Sequence, residues 1–274
     1  MELKVRENNE MVAVLEVAGV NAAFLNSLRR TLLSQVPKLA IDDVTIYDNT
    51  SALFDEMVAH RLGLLPVPTD LNQFVRRNEC TTCNGEGCSN CTVLYTLSKE
   101  GPCMVYSGDL TPAADQKFRI VDPKVPIVKL LEGQRVMLEA GAVLGTGAEH
   151  AKWQAVTAVG YTEFPVVKIN GDLSQQALER VQRTAPPGAL AVEGGSVRVL
   201  DPVKAVTFLR SLKELQPEAP IEITYEPNRW ILTVETDGSL SPVAALRRAV
   251  SILMEKLKWV EAETPKLKLP EQAA

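Results

Sequence analysis

Asn21-AAFLNSLRRTLLSQVPKLAIDDVTIYDNTSALFDEMVAHRLGLLP-Val67 decides the fold. Asn21 is a natural N-cap, and Phe24, Leu25, Leu28, Leu32 and Val36 recur at three- and four-residue spacing, the pattern of an amphipathic helix. Leu33 widens the apolar stripe, while Asn26, Arg29 and Arg30 look to the other side. Such a stripe must be buried against a sheet or another helix. Pro37 ends the helix, and Leu39 to Tyr47 reads as a strand. A second helix is expected from Ser51 to Leu62, capped by Ser51, with Asp55 and Glu56 toward its positive end and His60 and Arg61 in its last turn. Gly63 fits a left-handed stop, after which Leu64 to Val67 run extended.

Periodicity alone fits two ordinary core helices of an α+β protein. The pieces NAAFLNSLRRTLLSQVP and HRLGLLPV, in that order, resemble the D-subunit family of archaeal RNA polymerase, the alpha-like counterpart of bacterial alpha and of the eukaryotic third-largest subunit. The likeness continues, more weakly, over most of the chain. It implies an α+β fold with a discontinuous alpha-like dimerisation domain, 1–47 plus 218–274, and an inserted mainly-β domain, 48–165. A ferredoxin-like module at 166–217 would sit on that insertion. It further implies a non-catalytic assembly subunit that pairs with the small alpha-like subunit L, then recruits small subunits N and P and the two large catalytic subunits. Phe24, Leu25, Leu28, Arg29, Arg30 and Leu32 would form the partner surface with Leu246, Val250, Leu253 and Leu257 of a C-terminal helix. His60, Arg61, Leu62 and Gly63, together with His150, Lys152 and Trp153, would dock the large subunits.

Composition sets compatible bounds. A chain of 274 residues, 46% hydrophobic and 23% charged, is long enough for one large domain or two to three small ones with a sizeable core. Net charge −5 and a pI near 5.3 argue against general nucleic-acid binding, which needs basic surface, so direct specific DNA contact is not expected. No apolar run approaches the roughly 20 residues that span a bilayer. MELKVRENNE lacks the apolar core of a signal peptide, and a cytoplasmic location is expected.

Four of the five cysteines form one cluster, Cys80-TT-Cys83-NGEG-Cys88-SN-Cys91. Each CxxC turn can present two sulfurs to one ion, and Gly85 and Gly87 let the backbone bend between them. Zinc favours such closed four-thiolate sites, and the expected role is structural. Iron or an iron–sulfur cluster uses the same donors, and the sequence leaves that open. Disulfides fit a reducing cytoplasm poorly. CTTCNGEGC also resembles the CxxCxGxG repeat of J-domain co-chaperones, but only one and a fraction of a repeat is present and neither His60 nor His150 lies in an HPD motif. Cys103, beside Gly101 and Pro102, reads as a small buried residue. A zinc knuckle of this kind occurs in some members of the resembled polymerase family.

Farther along, Val128, Leu130 and Leu131, a turn at Gly133 and Val136-MLEAGAVLG give two strands, followed by a flexible loop at Gly145-Thr146-Gly147. GTGAEH lacks the Lys-Ser/Thr of a P-loop, and His150 receives no catalytic role. Between 166 and 217 the expected order is strand, helix (Ser174 to Gln182), hairpin (190–192, 196–200) and helix, with Asp172 and Asp201 as caps, Pro202 at the first helical position and Glu193-Gly194-Gly195 as the turn. In the resembled family this insertion often carries cysteines for iron–sulfur clusters. Here it contains none, Ala185-Pro186 standing where a Cys-Pro element belongs, so no cluster is expected and packing by Val199, Val206, Phe208 and Leu209 must replace it. Ile221 to Glu235 reads as a hairpin turning at Pro227-Asn228; Ser241-Pro242 starts a long helix, and a solvated tail follows Val260. Val243, Leu246, Val250, Leu253 and Leu257 recur along that helix at near-heptad spacing.

No DxDxD-like run that could hold catalytic magnesium occurs. The competing reading is a stand-alone zinc or redox enzyme. It needs an open coordination position or a thiol beside a histidine, and four closing cysteines with two histidines in the chain count against it.

Overall fold

The computed structural model describes residues 1–113, 115–193 and 196–266. β1 (Glu2–Asn8) and β2 (Val12–Ala18) are joined by a turn in which Asn9 Oδ1 accepts from the backbone N–H groups of Met11 and Val12. α1 (Ala22–Ser34) starts directly after Asn21 and buries Leu25, Leu28, Thr31 and Leu32. β3 (Pro37–Asn49), α2 (Asp55–Gly63), β4 (Thr92–Glu100), β5 (Cys103–Tyr106), β6 (Thr111–Pro112), β7 (Pro126–Leu130) and β8 (Arg135–Thr146) follow. Next come β9 (Val156–Ile169), α3 (Gln175–Thr184), β10 (Leu190–Glu193), β11 (Ser196–Val199), α4 (Pro202–Leu215), β12 (Ile221–Thr236) and α5 (Pro242–Glu263).

One four-stranded sheet has the order β1-β2-β12-β9, and a second has β3-β8-β4-β6; β5-β7 and β10-β11 are two-stranded. The chain divides into two compact units, one from Met1–Arg6, Val14–Ala22 and Tyr161–Leu232, the other from Glu7–Ala13, Ala23–Gly160 and Thr233 onward.

In the second unit β8 pairs antiparallel with β3 on one side and β4 on the other, so that Asp43, Gly141 and Leu94 lie abreast. Alternation sends Leu39, Ile41, Val93, Tyr95, Leu97, Leu138 and Ala140 inward, where Val58, Leu62, Val128 and Leu130 close the core. Tyr95 is fully buried; its hydroxyl donates to Phe118 O at 2.6 Å, and burial pushes its pKa well above the ordinary tyrosine value. Lys38, also buried, pairs with Asp237, whose other oxygen accepts from Ser239. In the first unit α3, α4, β10 and β11 enclose Leu173, Ala177, Val181, Ala189, Ala205, Leu209, Leu212 and Ile221. There the carboxylate of Glu16 is held by both Arg6 and Arg229, and Arg229 lies over the Phe164 ring at 3.8 Å.

Several expectations need correction. Ser51 caps no helix: its hydroxyl donates to Asn49 Oδ1, α2 begins four residues later, and its N-cap position is Phe54, with no side-chain cap. Gly63 is the last helical residue rather than a left-handed stop, and Leu64 continues in right-handed geometry. Gly63 packs near Ile41 O, where a Cβ would stand 3.4 Å away, at the edge of ordinary contact. Ser174, not Asp172, caps α3, accepting from Ala177 N; Asp201 caps α4 as expected. The expected hairpin at 221–235 is one strand. Asn228 takes a left-handed φ of 58°, but its carbonyl still accepts from Gly19 N, so the kink is absorbed within the sheet without reversing the chain. Gly145-Thr146-Gly147 is packed rather than loose, because a Cβ on Gly145 would overlap the Trp153 ring and one on Gly147 would overlap Leu33 O. α5 runs on to Glu263 and a 3-10 turn covers Thr264–Lys266, so the tail begins later than expected. Gly194 and Gly195 of the expected turn, and 267–274 of the tail, lie outside the described residues.

Candidate functional site

Chemistry concentrates where β4 begins. A 3-10 turn at Arg77–Glu79 delivers Cys80, and Asn84, Gly85 and Gly87, all at positive φ, fold the chain back so that Cys88 and Cys91 face Cys80 and Cys83. The four Sγ atoms lie within 4.8 Å of one another, with Cys80–Cys88 and Cys83–Cys91 at 3.6 Å and Cys88–Cys91 at 3.9 Å. Sulfurs about 2.3 Å from a tetrahedral ion stand about 3.8 Å apart, so the cluster has the dimensions of a four-thiolate metal site. All four thiols are unbridged.

The surrounding N–H groups already favour thiolate. The backbone N–H groups of Cys83 and Thr82 bring Cys80 down to about 6, and that of Gly87 chiefly lowers Cys83. Asn90 N–H acts likewise on Cys88, but burial and the neighbouring sulfurs outweigh it and lift that thiol to about 11. A cation at the centre of the cluster would displace the thiol protons that remain. Arg77 locks the knuckle to the sheet: Nε donates to Gly85 O, Nη2 to Glu86 O and Nη1 to Asp43. The sequence reading missed Arg77, since nothing local marks an arginine whose acceptors lie up to 34 residues away.

On α5, Pro242, Ala245, Ala249 and Ile252 are buried, a thin face of mostly small side chains. Val243, Leu246, Val250, Leu253, Leu257 and Val260 follow one another at steps of three and four residues, a separate apolar stripe that is half-buried to exposed. Met254 and Trp259 flank it, and Leu257 and Trp259 are 69% and 66% exposed. On α1 the expected partner residues part company. Leu25, Leu28 and Leu32 are buried in the chain's own fold; Phe24 and Arg30 are exposed, and Arg29 is half-buried, donating to Asn26 Oδ1.

On α2, Leu62 and Gly63 are buried with Val58, so they offer no docking surface. Its outer face carries Phe54, Met57, Arg61 and Leu64 at helical spacing, with His60 beside them; Phe54 is 79% exposed. Phe54 and Met57 were not singled out from sequence, although their spacing with Arg61 was there to find. After β8, His150 is exposed and its Nδ1 accepts from Lys152 N. Lys152 pairs with Asp42 and lies 4.3 Å from the Trp153 ring centre, while Trp153 Nε1 donates to Val143 O. Lys152 and Trp153 therefore brace the loop internally and leave only part of each exposed. Cys103 is half-buried with its thiol 3.4 Å from Glu100 O.

Among the described residues no helix is long and apolar enough to cross a membrane. The family model for the RNA polymerase Rpb3/Rpb11 dimerisation domain matches residues 14–257. DNA-directed RNA polymerase subunit Rpo3 of Methanosarcina acetivorans is 36% identical over 257 residues, 93% of this chain and 95% of that protein. The proteins of the same name from Methanosphaera stadtmanae and Methanothermobacter thermautotrophicus are 39% and 37% identical, covering 93% and 95% of this chain and 96% and 97% of their own lengths.

Proposed function

The chain belongs to the RNA polymerase Rpb3/Rpb11 dimerisation-domain family, and from that premise we propose that it is a non-catalytic assembly subunit of an archaeal DNA-directed RNA polymerase. It pairs with the small alpha-like subunit L, and the heterodimer receives small subunits N and P and then the large catalytic subunits in the cytoplasm. Residues 1–47 and 218–274 make the pairing layer, and 48–165 the inserted one.

The observation that carries this reading is α5. A helix that lies on its own protein through alanines and turns a stripe of larger apolar side chains outward is built to be covered by a second protein. Leu246, Val250, Leu253 and Leu257 form the contact with Val243 and Val260, and Phe24 and Arg30 extend it from α1; Leu25, Leu28 and Leu32 support that helix from behind. The outer face of α2 (His60, Arg61, Phe54, Met57 and Leu64) and the exposed His150 edge receive the large subunits, with Lys152 and Trp153 holding that edge in place.

The four cysteines hold zinc, which staples the knuckle and takes no part in chemistry. All four donors come from the chain and leave no position for substrate, which disfavours an independent zinc enzyme. The expected ferredoxin-like module at 166–217 holds no cysteine and stands on its apolar core without an iron–sulfur cluster.

Co-expression with the small alpha-like partner tests the reading. The two chains are expected to elute together at one-to-one stoichiometry with about one zinc per heterodimer. Elution of this chain as a stable monomer beside a free partner contradicts it.

A further inference from the structure

We propose that a groove between the cysteine knuckle and the outer face of the β3-β8-β4 sheet is a third docking site, occupied by an extended segment of another polymerase subunit that inserts a lysine or arginine beside an apolar residue. The proposal rests on the assembly reading above, and it concerns a surface apart from both α5 and α2.

The groove has a volume of about 410 Å³, and Gly141 and Leu94 lie among its lining residues. That volume is at the small end of sites that take a side-chain anchor. Gly141 lies in the middle strand with ordinary backbone geometry, and a Cβ there would stand at normal contact distances, 3.5 Å from Thr92 Cγ2 and 3.9 Å from Leu94 Cδ2. The fold therefore does not require glycine at this place, and the absent side chain leaves the groove deeper there. Leu94, 54% exposed, supplies the apolar surface beside it, and the buried Phe74 and Phe118, packed edge to face at 5.2 Å, close one end of the groove from the core.

Charge identifies the occupant. The groove is lined by Asp43, Glu86, Asp115 and Glu139 against Arg77, which takes Asp43, while Lys117 at the edge lies 3.8 Å from Asp115, so Glu86 and Glu139 are the acids left without a cation among the described residues. All three directions of the Arg77 guanidinium are already used, on Asp43, Gly85 O and Glu86 O, so it has little left to offer an anion. Glu139 accepts only a neutral hydroxyl, from Tyr47 at 3.0 Å, and the Glu86 carboxylate has no ion-pair partner among the described residues. Nucleic acid is repelled by such a lining. A bound metal ion is disfavoured too. Among the described residues only the four cysteines gather closely enough to hold one, so these carboxylates are spread along the groove. Spread carboxylates over an apolar floor suit a long cationic side chain, whose stem lies on the floor while its head reaches the acids.

The test uses the assembled polymerase, purified through a tag on this chain, with Leu94 replaced by the photoreactive p-benzoylphenylalanine. Irradiation and peptide mass spectrometry are expected to give one crosslinked segment from another subunit that contains Lys or Arg next to an apolar residue. Glu139→Lys with Glu86→Lys, both exposed, should lower the yield by about tenfold or more, and Gly141→Leu should do the same by filling the floor. A polymerase that assembles fully but gives no crosslink, or one to nucleic acid or to a segment without Lys and Arg, overturns the groove and leaves the assembly reading intact. Recovery of this chain without other subunits overturns both.

Discussion

Leu257→Asp separates the two faces of α5. Leu257 is 69% exposed and sits on the outer stripe, one turn beyond Leu253, so the substitution removes no contact on which the chain's own fold depends. Burying a whole leucine side chain is worth about 1.5–3 kcal/mol, and roughly two-thirds of that, about 1–2 kcal/mol, remains to be gained when a partner covers it. Leu257→Ala should therefore weaken pairing by about 5- to 30-fold at 1.4 kcal/mol per factor of ten. Asp adds the desolvation of an unpaired carboxylate, several kcal/mol more, and should remove measurable binding at micromolar concentration. Titration calorimetry with the small alpha-like partner reads the affinity, and urea unfolding of the chain alone reads the fold, which should change by no more than about 0.5 kcal/mol. The inner face supplies the contrast. Ala249→Leu overpacks a fully buried position and should destabilise the chain by about 1–3 kcal/mol. An affinity within threefold of the parent for Leu257→Asp would refute the argument, because no interface could then cover that side chain.

The other faces of the account make equally direct predictions. Cys91→Ser, at a fully buried position of the proposed zinc site, should abolish zinc content and raise amide exchange across 76–92, leaving β3 and β8 protected; unchanged exchange in the knuckle after metal loss would show that the ion is not its staple. Leu28→Asp places a charge in the core and should unfold α1, seen as lost helical circular dichroism, so a folded variant that merely fails to pair would return Leu28 to the surface. Glu16 is held charged: burial opposes this, but hydrogen bonds from Arg229 and Arg6 prevail and keep its pKa below the ordinary value. The stability it contributes is therefore complete above the ordinary glutamate pKa of about 4.3 and is lost as pH falls through that value toward the depressed one. The gap in urea midpoint between the parent and Glu16→Gln should shrink on acidification from pH 6 to pH 3, and a constant gap would mean that the two arginines do not hold the carboxylate.

What the sequence disclosed depended on the range of the forces involved. The periodicity of α1 and α5, the run of β3 and β8, and the Asp201-Pro202 start of α4 are local, and each stands where the pattern put it. The CxxC spacing foretold four sulfurs in one place for the same reason. Local rules failed where a distant partner overrode them. Ser51 looked like a cap until Asn49 took its hydroxyl, and Gly63 looked like a stop although the chain continues through it to Leu64 in right-handed geometry. Pro227-Asn228 carries turn chemistry, yet the Gly19 N–H that holds Asn228 in the sheet lies 209 positions earlier in the chain. Glu16, a charge inside the apolar run of β2, makes sense through Arg6 on the neighbouring strand and Arg229, 213 residues away. The partner surface shows the same limit: apolar spacing placed Leu25, Leu28 and Leu32 on one stripe, but a stripe facing the chain's own core and one facing another protein read alike.

Native purification addresses the central claim most directly. The chain, tagged at its N-terminus and expressed at its normal level in its own cells, would be recovered and its companions quantified by mass spectrometry. The account predicts the small alpha-like partner and the large catalytic subunits in equimolar amounts, lost together from the Leu257→Asp variant while the variant itself remains folded. Recovery of the parent chain free of polymerase subunits would contradict it.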